Sequence, residues 1–231
     1  GQKCTAVRRV LVPVHLLECV QADLLAELER IQVGDPGREG VRMGPLASAS
    51  QRADVCSGMA RLAAVAKRLT PQRPDPDGGL AAGRAPGGAF VEPALFVALD
   101  PASSVVHEHE VFGPVATLLP YDGSAEAAIA LVCRAGGGLV TSVYSNDADW
   151  TTTFVLGVAP WHGRIWIGSD KMAEQSLPPG MVLPNLVHGG PGRAGGGEEL
   201  GAERGLAFYM QRVALQGYKG FLDSRFGASK P

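Results

Sequence analysis

The chain holds four cysteines, Cys4, Cys19, Cys56 and Cys133, and their spacing limits what they can do. No two form a CxxC pair and all lie far apart, which argues against a zinc site or a disulfide framework and for free thiols in a reducing cytoplasm. Cys4 stands apart from the rest. The run Gly1-Gln2-Lys3-Cys4-Thr5 sets it among small and polar residues just ahead of an apolar stretch, outside any amphipathic pattern in which a core thiol would lie. A thiol so placed is accessible, but its free pKa of ~8.5 means that it needs a base or a positive dipole to react at neutral pH. Position alone favours the blander account, because free cysteine is usually a small hydrophobe. A cysteine hydrolase would draw a base from His15, His107, His109, His162 or His188, and sequence spacing does not choose among them.

Two other runs invite chemistry. His107-Glu108-His109-Glu110 has metal-ligand residue types, yet alternate residues of an extended segment face opposite ways and no third ligand group is evident, so no metal is expected. By themselves Glu110 reads as a solvated loop carboxylate and Phe112 as a core anchor. The glycine-rich stretch from His188 to Gly201 looks superficially like a phosphate cradle, but it has no Gly-Lys-Ser/Thr ending and no strand-to-helix GxGxxG frame, and reads as a structural loop.

The elements that must position these residues follow from periodicity. Residues 6–14 are rich in Val and Leu and read as a strand, with Pro13 at its end where a missing amide costs little. Leu17, Val20, Leu24, Leu28 and Ile31 recur at helical spacing over residues 16–31, before Gly34-Asp35-Pro36-Gly37 breaks the chain direction. Ser48 or Ser50 caps a second helix with Val55, Met59, Leu62, Ala63 and Ala66 on its buried side. Residues 71–88, crowded with Pro, Gly and Asp, read as an exposed connection. Strands are expected at residues 94–99, 115–119, 139–144 and 163–167, and helices at 124–134, through Ala127, Ile129, Ala130 and Cys133, and at 147–156. A long Gly/Pro-rich excursion then covers residues 168–205. Strands alternating with helices predict an α/β fold with a mostly parallel sheet covered on both faces.

With 231 residues, 45% of them hydrophobic, the chain can bury a full core. Its formal charge of −2 gives no reason to expect a nucleic-acid or membrane-surface partner. No apolar run reaches the ~18 residues of a transmembrane helix, and no signal peptide is visible. The start at Gly1, rather than Met, leads us to expect a fragment.

The Gly1-Gln2-Lys3-Cys4-Thr5 run resembles the nucleophile motif of the aldehyde dehydrogenase superfamily, and further family-like runs follow in order. They are Gly44-Pro45-Leu46, Phe90-Val91-Glu92-Pro93-Ala94-Leu95-Phe96 and Glu110-Val111-Phe112-Gly113-Pro114-Val115. The loop from His188 and the following Arg204-Gly205-Leu206-Ala207-Phe208-Tyr209-Met210-Gln211-Arg212 are similar to the closing segment of that superfamily, so the likeness spans residues 1–217. It implies a three-layer α/β/α catalytic domain over residues 1–212, beginning at the nucleophile motif. It also implies an oligomerisation strand, Val213-Ala214-Leu215-Gln216, and tail over residues 213–231, hence a homo-oligomer. Cys4 becomes the nucleophile: its thiolate adds to an aldehyde carbonyl, the thiohemiacetal gives up hydride to a nicotinamide, and a thioester remains to be cleaved. The oxyanion formed at each addition needs fixed donors worth ~3 to 4 kcal/mol apiece, of which the Cys4 amide is one. Glu110 takes the role of holding the nicotinamide-ribose hydroxyls and Phe112 that of packing beside the nicotinamide ring of NADP (or NAD).

The closing loop, with Ile167-Gly168-Ser169-Asp170-Lys171, most resembles the branch that acts on coenzyme A-linked semialdehydes in phenylacetate or benzoate degradation. Many other members carry an asparagine near Ser169. The superfamily's general-base glutamate, oxyanion asparagine and dinucleotide-binding domain precede the cysteine, so residues 1–231 alone are expected not to turn over aldehyde. The competing expectation is a non-catalytic assembly module in which Cys4 is idle.

Overall fold

The computed structural model describes residues 1–71, 88–173, 180–181, 186, 188–197 and 202–227. Nearly all of the expected connection at 71–88, and part of the excursion at 168–205, lie outside the described residues.

Four strands, β1 (Arg9–Pro13), β2 (Ala66–Arg68), β3 (Ala94–Ala98) and β4 (Val115–Tyr121), form one sheet in the order β1-β4-β3-β2. β4 runs parallel to both β1 and β3, with Thr117 opposite Arg9 and opposite Phe96, and only the short β2 is antiparallel. Side chains alternate across this sheet as strand geometry requires. Val12, Leu95 and Leu118 face α1 (Leu17–Glu29), whose Leu17, Val20, Leu24, Leu25 and Leu28 are half-buried against them. Ala94, Phe96, Ala98, Val115 and Leu119 face the other way, onto Val55 and Leu62 of α2 (Ala49–Ala63) and Val106 of α3 (Ser104–Glu108). Leu118 and Leu119 are adjacent, point to opposite faces and are both 0% exposed, which places β4 at the centre of a covered sheet. Burying two such side chains stabilises the fold by about 1.5 to 3 kcal/mol each.

A second parallel pair, β5 (Gly138–Tyr144) and β6 (His162–Gly168), is covered by α4 (Ala125–Cys133) and α5 (Ala148–Val158) through Ala128, Val132, Val143, Phe154 and Val158. Ser48, Ser124 and Asp147 cap α2, α4 and α5, each accepting the backbone N–H three residues on. Beyond β6, the two-residue strands β7 (His188–Gly189) and β8 (Gly196–Gly197) form a small antiparallel ladder, followed by α6 (Glu203–Phe208) and α7 (Lys219–Phe226).

The structure corrects several expectations in detail. Ala63 is exposed and Ala66 belongs to β2 rather than to the helix face. In α4 the buried residues are Ala125, Ala128, Leu131 and Val132, whereas Ala130 is exposed. Residues His107 and Glu108 sit in the helical turn α3, so the argument that the His-Glu-His-Glu run is extended throughout does not hold. Val213 to Gln216 are exposed and lie outside any helix or strand in the single chain.

Candidate functional site

Cys4 occupies a turn closed by the Ala6 amide donating to the Lys3 carbonyl at 3.0 Å. The Gln2 side chain holds that turn against the body of the domain: its Oε1 accepts from the Ala47 amide at 2.8 Å and its Nε2 donates to Gln51 Oε1 of α2 at 3.0 Å. The family-like runs are therefore joined in space. Leu46 donates its amide to the Ala89 carbonyl, just ahead of the Phe90 run, and Ala94 donates its amide to Pro114 at the end of the Glu110 run, both at 2.8 Å.

Residues 110–113 alternate as an extended segment should. Val111 is buried, Gly113 packs so closely on Val55 that a Cβ there would lie 2.7 Å from that side chain, and Glu110 and Phe112 are turned outward. Gly58 receives Val111 in the same way, at 2.8 Å. Arg8 fixes the segment leading to Glu110 from the strand side, donating to the His109 carbonyl at 3.0 Å and to the His107 carbonyl at 3.4 Å. Burial lowers the pKa of the Arg8 guanidinium from its usual value, and the neighbouring Glu110 charge works against that shift. Lys3 and Ala6 to Arg8 form one side of a shallow cleft, and Glu110 to Gly113 form the other. Cys4 stands in the turn between Lys3 and Ala6 at its margin, with its side chain exposed.

Exposure does not by itself single out Cys4, since Cys19 and Cys56 are exposed as well. Their surroundings differ. Cys19 donates to its own helix at Leu16 O, 3.2 Å away, and burial pushes the Cys133 thiol up. Cys4 Sγ lies 3.6 Å from His188 Nε2. Of the five histidines that sequence left open, the fold brings His188 to this thiol. His107 is built into the core, its Nδ1 2.8 Å from an Arg9 guanidinium nitrogen and its Nε2 2.7 Å from the Pro101 carbonyl. Arg9, at about 10, is still a cation at neutral pH and also donates to the Leu131 and Val132 carbonyls, so the cluster serves packing. Among the described residues no group of three or more His, Cys, Asp and Glu is placed to hold a metal ion, and no helix is long and apolar enough to cross a membrane.

The mostly parallel sheet covered by helices defines an α/β domain, and the exposed thiol of Cys4 lies in a turn ahead of its first strand. The chain belongs to the aldehyde dehydrogenase family, whose model matches residues 1–214. It is 38% identical over 192 residues to 3,4-dehydroadipyl-CoA semialdehyde dehydrogenase of Aromatoleum evansii, covering 83% of this chain and 37% of that protein. It is 40% identical over 176 residues to Protein MaoC of Klebsiella aerogenes, covering 76% of this chain and 50% of the relative. The chain thus spans between about a third and a half of these curated relatives. Among solved structures, a point mutant of betaine aldehyde dehydrogenase from Staphylococcus aureus, in complex with NAD+ and with a BME-modified cysteine, superposes with a TM-score of 0.70. That match has 25% identity and covers 87% of this chain and 38% of the other. NAD-dependent aldehyde dehydrogenase from Sinorhizobium meliloti gives a TM-score of 0.71 at 25% identity over 91% of this chain and 38% of its own.

Proposed function

We propose that the chain is the nucleophile-bearing part of an NAD- or NADP-dependent aldehyde dehydrogenase and that Cys4 is the nucleophile. The observation that supports this reading is the cleft: in a chain of this family, Lys3 and Ala6, which flank Cys4 in its turn, line the same cleft as Glu110 and Phe112. The thiolate of Cys4 adds to the aldehyde carbon, the carbonyl electron pair moves to oxygen, and the backbone amide of Cys4 is one donor to the oxyanion.

Glu110 and Phe112 fit a nicotinamide dinucleotide in type and placement. Two carboxylate oxygens suit a pair of ribose hydroxyls, and Phe112, 41% exposed, has a ring face free to pack beside a nicotinamide. When bound, that cofactor supplies the hydride acceptor. The names of the structural neighbours favour NAD, whereas the likeness to the aromatic-degradation branch favours NADP. The substrate we infer is a semialdehyde carried on coenzyme A, of the kind produced in phenylacetate or benzoate breakdown. The similarity to 3,4-dehydroadipyl-CoA semialdehyde dehydrogenase supports it. Residues 1–212 form the catalytic part and residues 213–231 the assembly strand and tail of a cytoplasmic homo-oligomer. The chain spans 37% of its 3,4-dehydroadipyl-CoA semialdehyde dehydrogenase relative and 38% of the betaine aldehyde dehydrogenase structure. By itself it adds aldehyde without turning it over.

Shielding from alkylation tests the reading. Aldehyde added to the chain should protect Cys4 from iodoacetamide, followed by peptide mass, while labelling of Cys19 and Cys56 proceeds as before. A coenzyme A-linked semialdehyde should protect at lower concentration than a simple aldehyde. Equal labelling of Cys4 with and without aldehyde rejects the nucleophile, and equal protection by both aldehydes rejects the substrate class.

A further inference from the structure

The 3.6 Å contact between Cys4 Sγ and His188 Nε2 joins residues 184 apart in sequence, and each partner is fixed by its own set of contacts. The turn of Cys4 is held by Gln2 and by the Lys3 to Ala6 hydrogen bond. His188 is held by the β7–β8 ladder, where His188 pairs with Gly197 and Gly189 with Gly196, and by the Gly190 amide donating to Gly195 at 2.8 Å. That hairpin is seated backbone to backbone on the β5–β6 pair. A Cβ at Gly163 would stand 1.5 Å from the Gly189 carbonyl oxygen, one at Gly137 2.1 Å from the Pro191 oxygen, and one at Gly190 2.4 Å from the Gly138 oxygen. Arg193 adds a hydrogen bond from its amide to the Gly136 carbonyl at 3.1 Å. The glycine-rich loop thus has a physical purpose: bare backbone lets the hairpin approach closely enough to deliver an imidazole to the thiol.

We propose that His188 is the proton acceptor of Cys4, a role that rests on the reading of Cys4 as the nucleophile. The proton on Sγ passes to the neutral Nε2, giving a thiolate and an imidazolium. The sulfur lone pair then forms the C–S bond to the aldehyde carbon as the carbonyl π pair moves to oxygen. Nothing beyond thiol, imidazole and aldehyde is needed. Charged groups near the pair are the Gly1 ammonium and Lys3 on the strand of chain that carries Cys4, Arg8 and Glu110 along the cleft, and Arg193 in the turn after His188. All of them remain in a His188 variant, so their influence cancels in a comparison with the parent chain.

The test is the pH dependence of iodoacetamide alkylation at Cys4, read peptide by peptide, with Cys19 as the internal control. In His188→Gln the Cys4 rate should fall about tenfold or more at pH about 6.5 and agree with the parent within a few-fold at pH about 9.5. The Cys19 rate should stay the same. In His188→Gly, added imidazole should restore the lost rate at low pH, a recovery that a merely structural role would not give. Identical Cys4 profiles in parent and His188→Gln overturn the proposal. If neither variant folds, the parent chain alone decides, because the Cys4 profile must lie on the acid side of the Cys19 profile and coincident profiles overturn it. Failure of the nucleophile reading has a separate signature, the absence of aldehyde shielding at Cys4.

Discussion

Gln2 reports most directly on how the thiol is held, because its amide makes two side-chain bonds that tie the Cys4 turn to Ala47 and to α2. Gln2→Ala should lower the unfolding free energy by about 1 kcal/mol, the lower range for two partly solvated hydrogen bonds. An unchanged urea midpoint would show that the turn is held elsewhere. Cys4 was singled out in the sequence by the resemblance of its run to a nucleophile motif, since position alone favours an incidental thiol. His188 was not, because its approach depends on tertiary contacts between glycines that carry no pattern of their own. A second residue, His107, sets a pH dependence. It is 1% exposed, and burial is the main cause lowering its pKa, joined by the nearby Arg9, Arg134 and Arg8 and opposed by its bond to the Pro101 carbonyl. The unfolded chain therefore binds a proton near pH ~6.5 that the folded chain refuses. Stability is full above that pH and falls as pH drops through it, levelling below the folded value. His109 and His162 are lowered by burial in the same sense. Urea unfolding should show a lower midpoint at pH about 5 than at pH about 7, with a shallower dependence in His107→Gln. An equally steep dependence in that variant would remove His107 from the explanation.

At the scale of elements, the strands and helices with strong periodicity or caps were readable, and the misses have identifiable causes. Ser48, Ser124 and Asp147 are sequence signals for helix starts, and each makes its capping bond. Ser124→Ala should cost about 1 kcal/mol in a thermal or denaturant melt, since α4 would lose the acceptor for the Ala127 amide. The buried face of α4 was misjudged because alanines populate the whole circumference of that helix, and contact with α5 and the neighbouring strands, not residue type, decides which ones are covered. β2 escaped notice because it has three residues, two of them Lys67 and Arg68, and exists only through pairing with β3. The β7–β8 hairpin is the element on which the site most depends. Gly163→Ala must push the Gly189 carbonyl away, because 1.5 Å is far inside any contact distance. The expected cost is about 1 to 3 kcal/mol, the usual range for forcing atoms into filled space. It should be accompanied by slow alkylation of Cys4 at low pH, as in His188→Gln. Normal Cys4 reactivity in a folded Gly163→Ala chain would mean that the hairpin does not set the position of His188.

At the scale of the whole molecule, the covered sheet and the bare C-terminal arm have opposite characters. The strands bury Leu118 and Leu119 completely, whereas Leu206, Phe208, Tyr209, Met210, Val213, Leu215, Tyr218, Phe221 and Phe226 are between 55% and 82% exposed. Apolar side chains gathered along one arm in this density are unusual on the surface of a monomer and mark an interaction site. The arm carries the residues expected from sequence to form an assembly strand, Val213 to Gln216, and in the single chain their backbone belongs to no ladder. A strand there would satisfy its amides and carbonyls by pairing with an exposed sheet edge on a second copy, while the flanking aromatics leave water. The chain of 24.0 kDa should therefore sediment as a dimer or larger assembly. A version ending at Arg212 should sediment as a monomer with its core intact by near-ultraviolet circular dichroism. A narrower change, Leu215→Pro, removes one amide donor and prevents regular pairing without altering the body of the domain. It should shift the assembly toward monomer at micromolar concentration. If the full chain is already monomeric at that concentration, the arm is not a contact between copies, and its apolar face is left for the remainder of a longer protein to cover.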